Sequence, residues 1–213
     1  SLPLTGGGIA SLDGIPNAAA KEMALAIAQA IRRVRIAELI KNFDEAIQPV
    51  TAWAESSRGA CTEQLATKGW LTHEFKKTQT GCKPRGLAEL LSEPEMGRHL
   101  ESQPQSIQDA VSFWKRNFTE VADGINERFV AQELQAFKPF FEQVEKSPLT
   151  DEQAKAVVCF DNRVLLVASA GSGKTSTMVA KAGYALKKGY FEAENILLLA
   201  FNKDAAAELR ERI

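Results

Sequence analysis

A glycine-rich loop between an apolar run and an amphipathic stretch constrains the fold of this chain more than any other feature. The loop reads Ala-Gly-Ser-Gly-Lys-Thr at 170–175 and follows the continuous apolar run 164–168. Gly171 and Gly173 permit backbone turns that a Cβ would obstruct, so that successive N–H groups can point at phosphate oxygens. A helix that begins at Lys174 adds the positive end of its dipole. The sequence therefore predicts a phosphate-binding P-loop between a strand and a helix.

The positions of this P-loop predict ATP and Mg²⁺ as cofactors. We expect the Lys174 ammonium to reach the β- and γ-phosphates and the Thr175 hydroxyl to bind Mg²⁺, so these two residues are the candidate catalytic positions. The other nucleotide contacts predicted in this loop are Ala168, Ser169, Ala170, Gly171, Ser172, Gly173 and Ser176. Ala168 stands where the strict motif has its first glycine. The alternative interpretation is a Gly/Ser turn with an incidental lysine.

A change in the pattern of apolar residues near Pro148 predicts a domain boundary. Beyond it, residues 149–213 alternate the apolar runs 164–168 and 196–200 with amphipathic helical stretches. This alternation is typical of a βαβ unit with a buried parallel sheet. The predicted fold class is therefore α/β, with a mainly helical N-terminal region followed by an incomplete P-loop βαβ segment.

The region before this boundary is expected to contain two further parts. Residues 1–45 indicate a strand or linker, with residues 6–8 as a flexible point, followed by a helix that begins at Asn17 and forms the end of a preceding module. Residues 46–148 indicate a helical accessory region, because their apolar residues recur at helical spacing.

Single residues within the helical region carry further expectations. Pro49 should kink or end the helix in which it lies, and Gly59 should mark a break. Trp53, Trp70 and Trp114 are expected to be core anchors rather than stacking platforms for bases.

Composition limits the class of protein and its partners. The chain has a formal net charge of −1, so any DNA contact must come from a local patch. No apolar run approaches the roughly 18 residues of a membrane span, which predicts no membrane partner. The cysteines Cys61, Cys82 and Cys159 are odd in number and far apart, which indicates a reducing compartment. We therefore expect a cytoplasmic protein, and, from the first residue and the helical pattern at Ile213, a segment of a longer one.

Three motifs stand in register along the last part of the chain, at 149–153, in the P-loop that begins at Ala168, and at 200–213. Together they resemble the start of the first RecA-like domain of UvrD/Rep-type superfamily 1 DNA helicases. Leu-Thr-Asp-Glu-Gln at 149–153 resembles their Q motif. The P-loop with Ala168 in its first position is similar to a form common in this family. The segment 200–213 resembles motif Ia. Within the family, 140–149 and 198–201 resemble the DNA helicase IV branch, which carries an amino-terminal extension.

The resemblance implies an ATP-driven DNA helicase or translocase that tracks 3′ to 5′, with single-stranded or partly duplex DNA as its partner. It also implies that Gln153 reads the edge of adenine and that Phe201 and Asn202 touch single-stranded DNA. Alternatives stay open for two of these residues. Gln153 could be an ordinary exposed glutamine on a helix, and Phe201 could be a core residue at the end of a strand.

Two departures from the family pattern bear on these roles. Asp204 stands where relatives usually have lysine, so a basic contact to DNA phosphate is missing. Ser176 stands where many relatives have an arginine that stacks on adenine. After the P-loop there is neither an acidic strand end for Mg²⁺ and the attacking water nor an arginine finger. We therefore expect the chain to bind nucleotide weakly and not to hydrolyse ATP at the rate of a helicase.

Two other functions stay open at this stage. The chain could be a nucleotide-dependent P-loop switch or binding module that acts through a partner docked on the helical region. The helical region could also act alone as an interaction domain for DNA or protein. In that case the last ~65 residues would be poorly ordered, because a βαβ unit without neighbouring strands cannot bury its sheet.

Overall fold

The structure is a computed structural model that describes residues 2–3, 9–10, 16–169 and 171–212, and these residues are mainly helical. The strands are β1 (Leu2–Pro3) and β2 (Ile9–Ala10), which pair antiparallel. The helices are α1 (Asn17–Lys68), α2 (His73–Gly81), α3 (Leu87–Leu90), α4 (Pro94–Glu101), α5 (Gln105–Lys115), α6 (Phe118–Ala136), α7 (Lys138–Gln143), α8 (Asp151–Val158), α9 (Lys174–Lys187) and α10 (Lys203–Arg212). A short 3₁₀ turn covers Ala193–Asn195. The predicted flexible point at 6–8 and the P-loop residue Ala170 lie outside the described residues.

The chain divides into two compact units. The first comprises Ser1–Ala52 and Pro84–Val111, and the second comprises Trp53–Lys83 and Ser112–Ile213. The modules predicted from the sequence, 1–45, 46–148 and 149–213, stay predictions.

The first unit has a core of large apolar side chains. Phe43 and Val50 of α1 are fully buried, as are Leu87 and Met96. The Phe43 ring meets His99 edge-on, with ring centroids 5.1 Å apart. Burial of four such side chains supplies the main favourable free energy of this unit, about 1.5–3 kcal/mol for each.

Helix α1 continues through Pro49 and Gly59, so it does not end at Pro49 and the predicted break at Gly59 is wrong. The alternative prediction of a kink at Pro49 stays a prediction. A proline within a helix costs about 3 kcal/mol and an exposed glycine about 1 kcal/mol. Ile47, Val50 and Ala54 flank Pro49 and are buried. Their burial offsets these local costs, since tertiary packing of the apolar face contributes more to helix stability than intrinsic propensity does.

The second unit is a set of helices around an aromatic core. Helix α6 packs against α2 and α8, and α8 packs against α9. The central cluster consists of Phe141, Ala154, Val157, Val158, Ala180 and Tyr184. The Tyr184 hydroxyl donates to Glu133 Oε2 at 2.5 Å, and Lys188 Nζ donates to Glu133 Oε1 at 3.0 Å. The buried Glu133 carboxylate of α6 is therefore satisfied by two groups that belong to α9 and the residue after it.

Two polar side chains fix the start of α2. Asn126 holds the backbone of Leu71 with two hydrogen bonds of 2.9 Å, one to its N–H and one to its carbonyl oxygen. The Asp161 carboxylate accepts from the His73 N–H at 3.0 Å. Helix α2 is thereby tied to α6 and to the segment that follows α8.

The sequence predicts all three tryptophans as core anchors, and this is confirmed for two of them, in the second unit. Trp53 and Trp114 are each only 7% exposed. The Trp53 indole N–H also donates to the Gln79 carbonyl oxygen at 3.1 Å. Trp70 is partly buried, and its indole nitrogen has no hydrogen-bond partner.

The apolar runs 164–168 and 196–200 are not paired strands in the described part of the chain, so the predicted βαβ segment is not observed. Leu165 is 87% exposed, Val167 84% and Leu197 79%. Parallel strands are stable when both faces of their sheet are covered and when further strands join them. The exposed side chains show that these two runs lack such cover.

Three further observations concern membranes, thiols and metals. None of the described helices is both long enough and apolar enough to cross a bilayer. The three cysteines are free thiols, and burial raises the pKa of Cys61 to about 11. Within the ranges that the structure describes, no group of three or more His, Cys, Asp or Glu side chains could hold a metal ion.

Candidate nucleotide-binding site

Two glycines give the P-loop its shape. Gly171 has φ 76° and Gly173 has φ 82°, both in the left-handed region. Gly173 precedes the first turn of α9, and a Cβ at this position would collide with the side-chain amide of Gln153. Backbone conformation therefore favours glycine at both positions, and a steric contact adds to this requirement at Gly173.

Hydrogen bonds from Ser172 and Thr177 stabilise the turn in front of α9 and the first turn of that helix. The Ser172 hydroxyl donates to the Ser169 carbonyl oxygen at 2.7 Å, and its N–H reaches the same oxygen at 3.3 Å. The Thr177 hydroxyl donates to the Gly173 carbonyl oxygen at 3.1 Å. The first N–H groups of a helix have no intrahelical acceptor and carry the positive end of its dipole. The start of α9 can therefore attract an anion.

Lys174 holds its ammonium group over the beginning of the loop. Its Nζ donates to the carbonyl oxygens of Ala168 at 2.9 Å and Ser169 at 2.5 Å, and the side chain is exposed. An ammonium group has three donors, and these two bonds leave one of them available. The positive charge is thus positioned at the loop where a phosphate group would need it.

Gln153 connects helix α8 to the P-loop. Its Oε1 accepts from the Thr150 N–H at 2.8 Å, while the Thr150 hydroxyl accepts from the Gln153 N–H, and the two residues together form a capping box. Its Nε2 donates to the Ser172 carbonyl oxygen at 2.9 Å. The Gln153 side chain is half-buried and keeps one unused N–H and one unused oxygen lone pair.

An open cavity of about 510 Å³ lies beside the P-loop. Its walls come from the end of the helical region, from the P-loop and the start of α9, and from the end of α10. The lining residues are Glu145, Lys146, Ser147, Pro148, Leu149, Thr150, Gln153, Gly171, Ser172, Gly173, Ser176, Glu208, Glu211 and Arg212. Its volume lies within the range of about 300–1,000 Å³ that is usual for small-molecule sites.

Arg212 joins three segments of the cavity wall. Its Nη2 donates to Glu145 Oε2 at 2.5 Å and to Ser176 Oγ at 2.8 Å, and its Nη1 donates to Glu208 Oε1 at 2.8 Å. The hydrogen bond to Glu145 is the main cause that raises the pKa of the Arg212 guanidinium. Sequence reasoning missed this residue, because only the four-residue spacing from Glu208 to Arg212 is visible in the sequence.

Lys181 is a second residue that the sequence did not single out. Its Nζ donates to the carbonyl oxygens of Ala156 at 3.0 Å, Val157 at 3.3 Å and Cys159 at the end of α8. Burial lowers the pKa of Lys181 to about 8. The lysine caps the last turn of α8 from α9, and so helps to fix the helix that carries Gln153.

The residues predicted to contact DNA lie before α10 and outside the cavity. The Phe201 side chain is fully exposed and does not lie in a core. The Asn202 side chain accepts from the Ala205 N–H at 2.8 Å and so caps the start of α10. Asp204, in the first turn of α10, is exposed.

Comparison with known proteins places the last part of the chain in a family context. Residues 149–213 match the UvrD/REP helicase N-terminal domain. DNA helicase IV of Escherichia coli (strain K12) is 44% identical over 100 residues, which are 47% of this chain and 15% of that protein. The UvrD/Rep-type resemblance predicted from the sequence is therefore confirmed for this segment.

Further relatives belong to the same group. A probable DNA helicase II homolog of Mycoplasma capricolum is 38% identical over 65 residues, which are 30% of this chain and 9% of that protein. ATP-dependent DNA helicase UvrD1 of Mycobacterium leprae is 38% identical over 65 residues, which are 30% of this chain and 8% of that protein. No solved structure matches the chain. The chain thus spans 15% or less of the length of these three relatives.

Proposed function

We propose that this chain is the ATP-binding portion of an ATP-dependent DNA helicase or translocase that moves 3′ to 5′, and that the chain alone does not turn over ATP. The observation that carries this proposal is the hydrogen bond from Gln153 to the Ser172 carbonyl oxygen, which joins the start of α8 to the P-loop. The names of the relatives, all DNA helicases, support the same function.

The phosphate groups of ATP would lie in the P-loop. The backbone from Ala168 to Gly173 would surround them with N–H groups, and Lys174 would exchange its two carbonyl partners for the β- and γ-phosphate oxygens. Thr175 would bind the Mg²⁺ that accompanies ATP and neutralises phosphate charge. The exposed Lys174 ammonium and the two left-handed glycines fit this use.

The adenine would be read by Gln153. The unused N–H and the unused lone pair of its amide match the N7 acceptor and the N6 donor of adenine, which is the pairing that glutamine makes with this base elsewhere. The half-buried Gln153 is fixed by Thr150 and Ser172, so little side-chain entropy would be lost on binding. This supports the role of an adenine reader over that of an ordinary surface glutamine.

Single-stranded or partly duplex DNA would pass the end of the second apolar run. Phe201 is fully exposed there, and an exposed aromatic ring is a platform on which a base can stack, worth about 1–3 kcal/mol. Asn202 would position the start of α10 next to the strand. The exposed Asp204 weakens the attraction of this region for phosphate, so stacking would contribute more than charge.

A nucleotide-dependent switch is the second candidate, and two hydrogen bonds favour it. Asp161 accepts from the His73 N–H, and Asn162 Nδ2 donates to Glu74 Oε2 at 2.6 Å. These bonds join α2 to residues 161–162, which precede the apolar run 164–168 and the P-loop. A nucleotide that moves this segment would therefore move α2 and any partner bound to it.

The test is the ATPase rate of the full-length protein with and without single-stranded DNA, together with Lys174→Ala. We expect strong stimulation by DNA that the variant abolishes. Turnover that is indifferent to DNA would overturn the helicase proposal and favour the switch. Turnover by the 213-residue chain that Lys174→Ala abolishes would contradict the statement that this chain alone is inactive.

A further inference from the structure

Helix α1 carries two apolar faces, of which the core of the first unit covers one. The covered face consists of buried or partly buried residues that recur every three or four positions, namely Ile36, Ile40, Phe43, Ile47 and Val50. The second face has the same spacing nearer the start of the helix, at Ala20, Met23, Ile27, Ala30, Val34 and Ala37. With 3.6 residues in each helical turn, the two faces lie roughly 150° apart around the helix.

The second face is largely open to solvent. Val34 is 68% exposed and Met23 is 42% exposed, and the side chains of Ala30 and Ala37 are exposed as well. Ile27 is partly buried. The apolar face of a helix normally packs against another element, and this packing supplies most of the stability of a helix in a protein. The second face therefore offers a partner a continuous apolar surface.

The ion pairs that hold the first part of α1 lie on another side of the helix. Arg32 Nη2 donates to Glu95 Oε1 at 3.1 Å, and Arg35 Nη2 donates to Glu93 Oε2 at 2.9 Å. Positions 32 and 35 are turned away from the centre of the second face by roughly 110° or more. A partner could therefore pack on the second face without breaking either ion pair.

The spacing of the second face is that of a two-stranded coiled coil. Its six residues fill the a and d positions of a heptad repeat, with Ala20, Ile27 and Val34 at position a. β-branched residues at this position, such as Ile27 and Val34, are typical of parallel pairs of helices. The repeat stops where Lys41 and Asp44 occupy the next a and d positions, so the apolar face is about 26 Å long.

The charged residues beside this face complement each other between two parallel copies. Arg33 occupies position g, Glu38 occupies position e of the following heptad, and both are exposed. In a parallel coiled coil, such a position g on one helix meets this position e on its partner. Arg33 of each copy would therefore face Glu38 of the other. The other e and g positions along the face carry Ala or Ile, so no like charges would meet there.

We propose that the first part of α1 is a dimerisation surface, on which a second copy of this chain packs in parallel through the heptad positions from Ala20 to Ala37. These residues belong to the first unit, whereas the P-loop belongs to the second, so the inference does not depend on the proposed function. The face is short and three of its six residues are alanines, which bury little area, so association is reversible.

Sedimentation equilibrium of the 213-residue chain over a range of concentrations measures this association. We expect an equilibrium between the monomer of 23.3 kDa and a species of twice that mass. Val34→Glu puts a carboxylate on the second face, and Leu25→Glu puts one at a position that is 61% exposed and lies on the opposite side of α1. We expect Val34→Glu to raise the Kd of the dimer by at least about tenfold, and Leu25→Glu to change it by less than about twofold.

Reversal of the two charges tests the parallel orientation. Arg33→Glu and Glu38→Arg each place like charges opposite one another, so each should raise the Kd of the dimer by about threefold or more. The double variant restores opposite charges and should return the Kd to within about twofold of the original value. Because both positions are exposed, these variants also test the inference if Val34→Glu does not fold.

Three results would overturn the inference. A chain that stays monomeric at concentrations up to about 100 μM would show that a second copy does not cover this face. Equal effects of Val34→Glu and Leu25→Glu would place the contact between copies elsewhere on the molecule. A double variant that associates no better than the single charge reversals would exclude the pairing of Arg33 with Glu38 of a parallel copy.

Discussion

Gln153 Nε2 donates to the Ser172 carbonyl oxygen at 2.9 Å, across 19 residues of sequence. The same side chain accepts from the Thr150 N–H and so belongs to the capping box of α8. One amide therefore couples the start of α8 to the turn that precedes α9. Whatever displaces this amide should disturb the P-loop.

Replacing Gln153 by glutamate should damage nucleotide binding more than folding. The carboxylate of Gln153→Glu can still accept from the Thr150 N–H, but it cannot donate to Ser172, and it adds negative charge beside the phosphate site. We expect the Kd for Mg·ATP to rise by about tenfold, measured by titration calorimetry. Gln135→Glu, at an exposed position of α6, makes the same change in charge and should leave the Kd unaltered. Equal affinities of the two variants would contradict the role of Gln153.

Substitution by alanine should lower the free energy of unfolding more at Gly173 than at Gly171. Gly171→Ala meets only the strain of a left-handed backbone, about 1 kcal/mol, because no atom lies within 4 Å of the added Cβ. Gly173→Ala meets the same strain and also displaces the Gln153 amide, so the loss in the free energy of unfolding should reach about 2–3 kcal/mol. Urea denaturation of both variants gives the comparison. A loss in Gly171→Ala as large as that in Gly173→Ala would show that the Gln153 contact is unimportant.

The buried Lys181 should make stability depend on pH. Its pKa is about 8 in the folded chain and 10.5 for an ordinary lysine, so the folded chain binds this proton more weakly than the unfolded chain does. Below pH 8 both states are protonated and the contribution is constant. Above pH 8 the free energy of unfolding should rise until both states are deprotonated.

Urea denaturation between pH 7.5 and about 9.5 tests this, below the range in which unfolded tyrosines ionise. The chain and its Lys181→Met variant are compared, both with Cys159→Ser, since the Cys159 thiolate would otherwise raise the pKa of Lys181. As pH rises, the free energy of unfolding of the protein with Lys181 should increase relative to that of the Lys181→Met variant. A constant difference would show that Lys181 is not desolvated.

The buried Glu133 should make the Tyr184 hydroxyl important for stability. Tyr184→Phe keeps the ring in the aromatic core but removes the hydroxyl that donates to Glu133 Oε2. Of the two donors described above, the Glu133 carboxylate then keeps Lys188. We expect a loss of about 1–3 kcal/mol in urea denaturation. Adding Glu133→Gln should restore part of it, because a neutral amide is less costly to leave half-satisfied. A further loss in the double variant would contradict this explanation.

The turn of the P-loop and the start of the helix after it could be predicted from the sequence because their determinants are local. Glycine spacing predicts the turn, and the structure starts α9 at Lys174 and gives Gly171 and Gly173 positive φ angles. The determinants of helix α8 are local too, since its Thr150 cap and its apolar residues lie within ten residues of each other.

The remaining features depend on contacts that are distant in sequence. Glu145 and Arg212 are 67 residues apart, so no spacing pattern could pair them. At Pro49 a local pattern suggested a helix end, but the burial of the neighbouring Ile47 and Val50 stabilises the helix through this position. The runs 164–168 and 196–200 have the composition of strands, but a strand also requires partners to pair with, which composition alone does not supply.

Equilibrium binding of Mg·ATP to the 213-residue chain and to Lys174→Ala tests the central claim most directly. Lys203→Ala, which removes an exposed lysine at the start of α10, is the matched control. If the P-loop binds the triphosphate, the unmodified chain and the control should bind it with the same Kd, and Lys174→Ala should bind at least about tenfold more weakly. Equal binding by all three proteins, or none by any of them, would contradict the assignment of Lys174 and its loop as the nucleotide site.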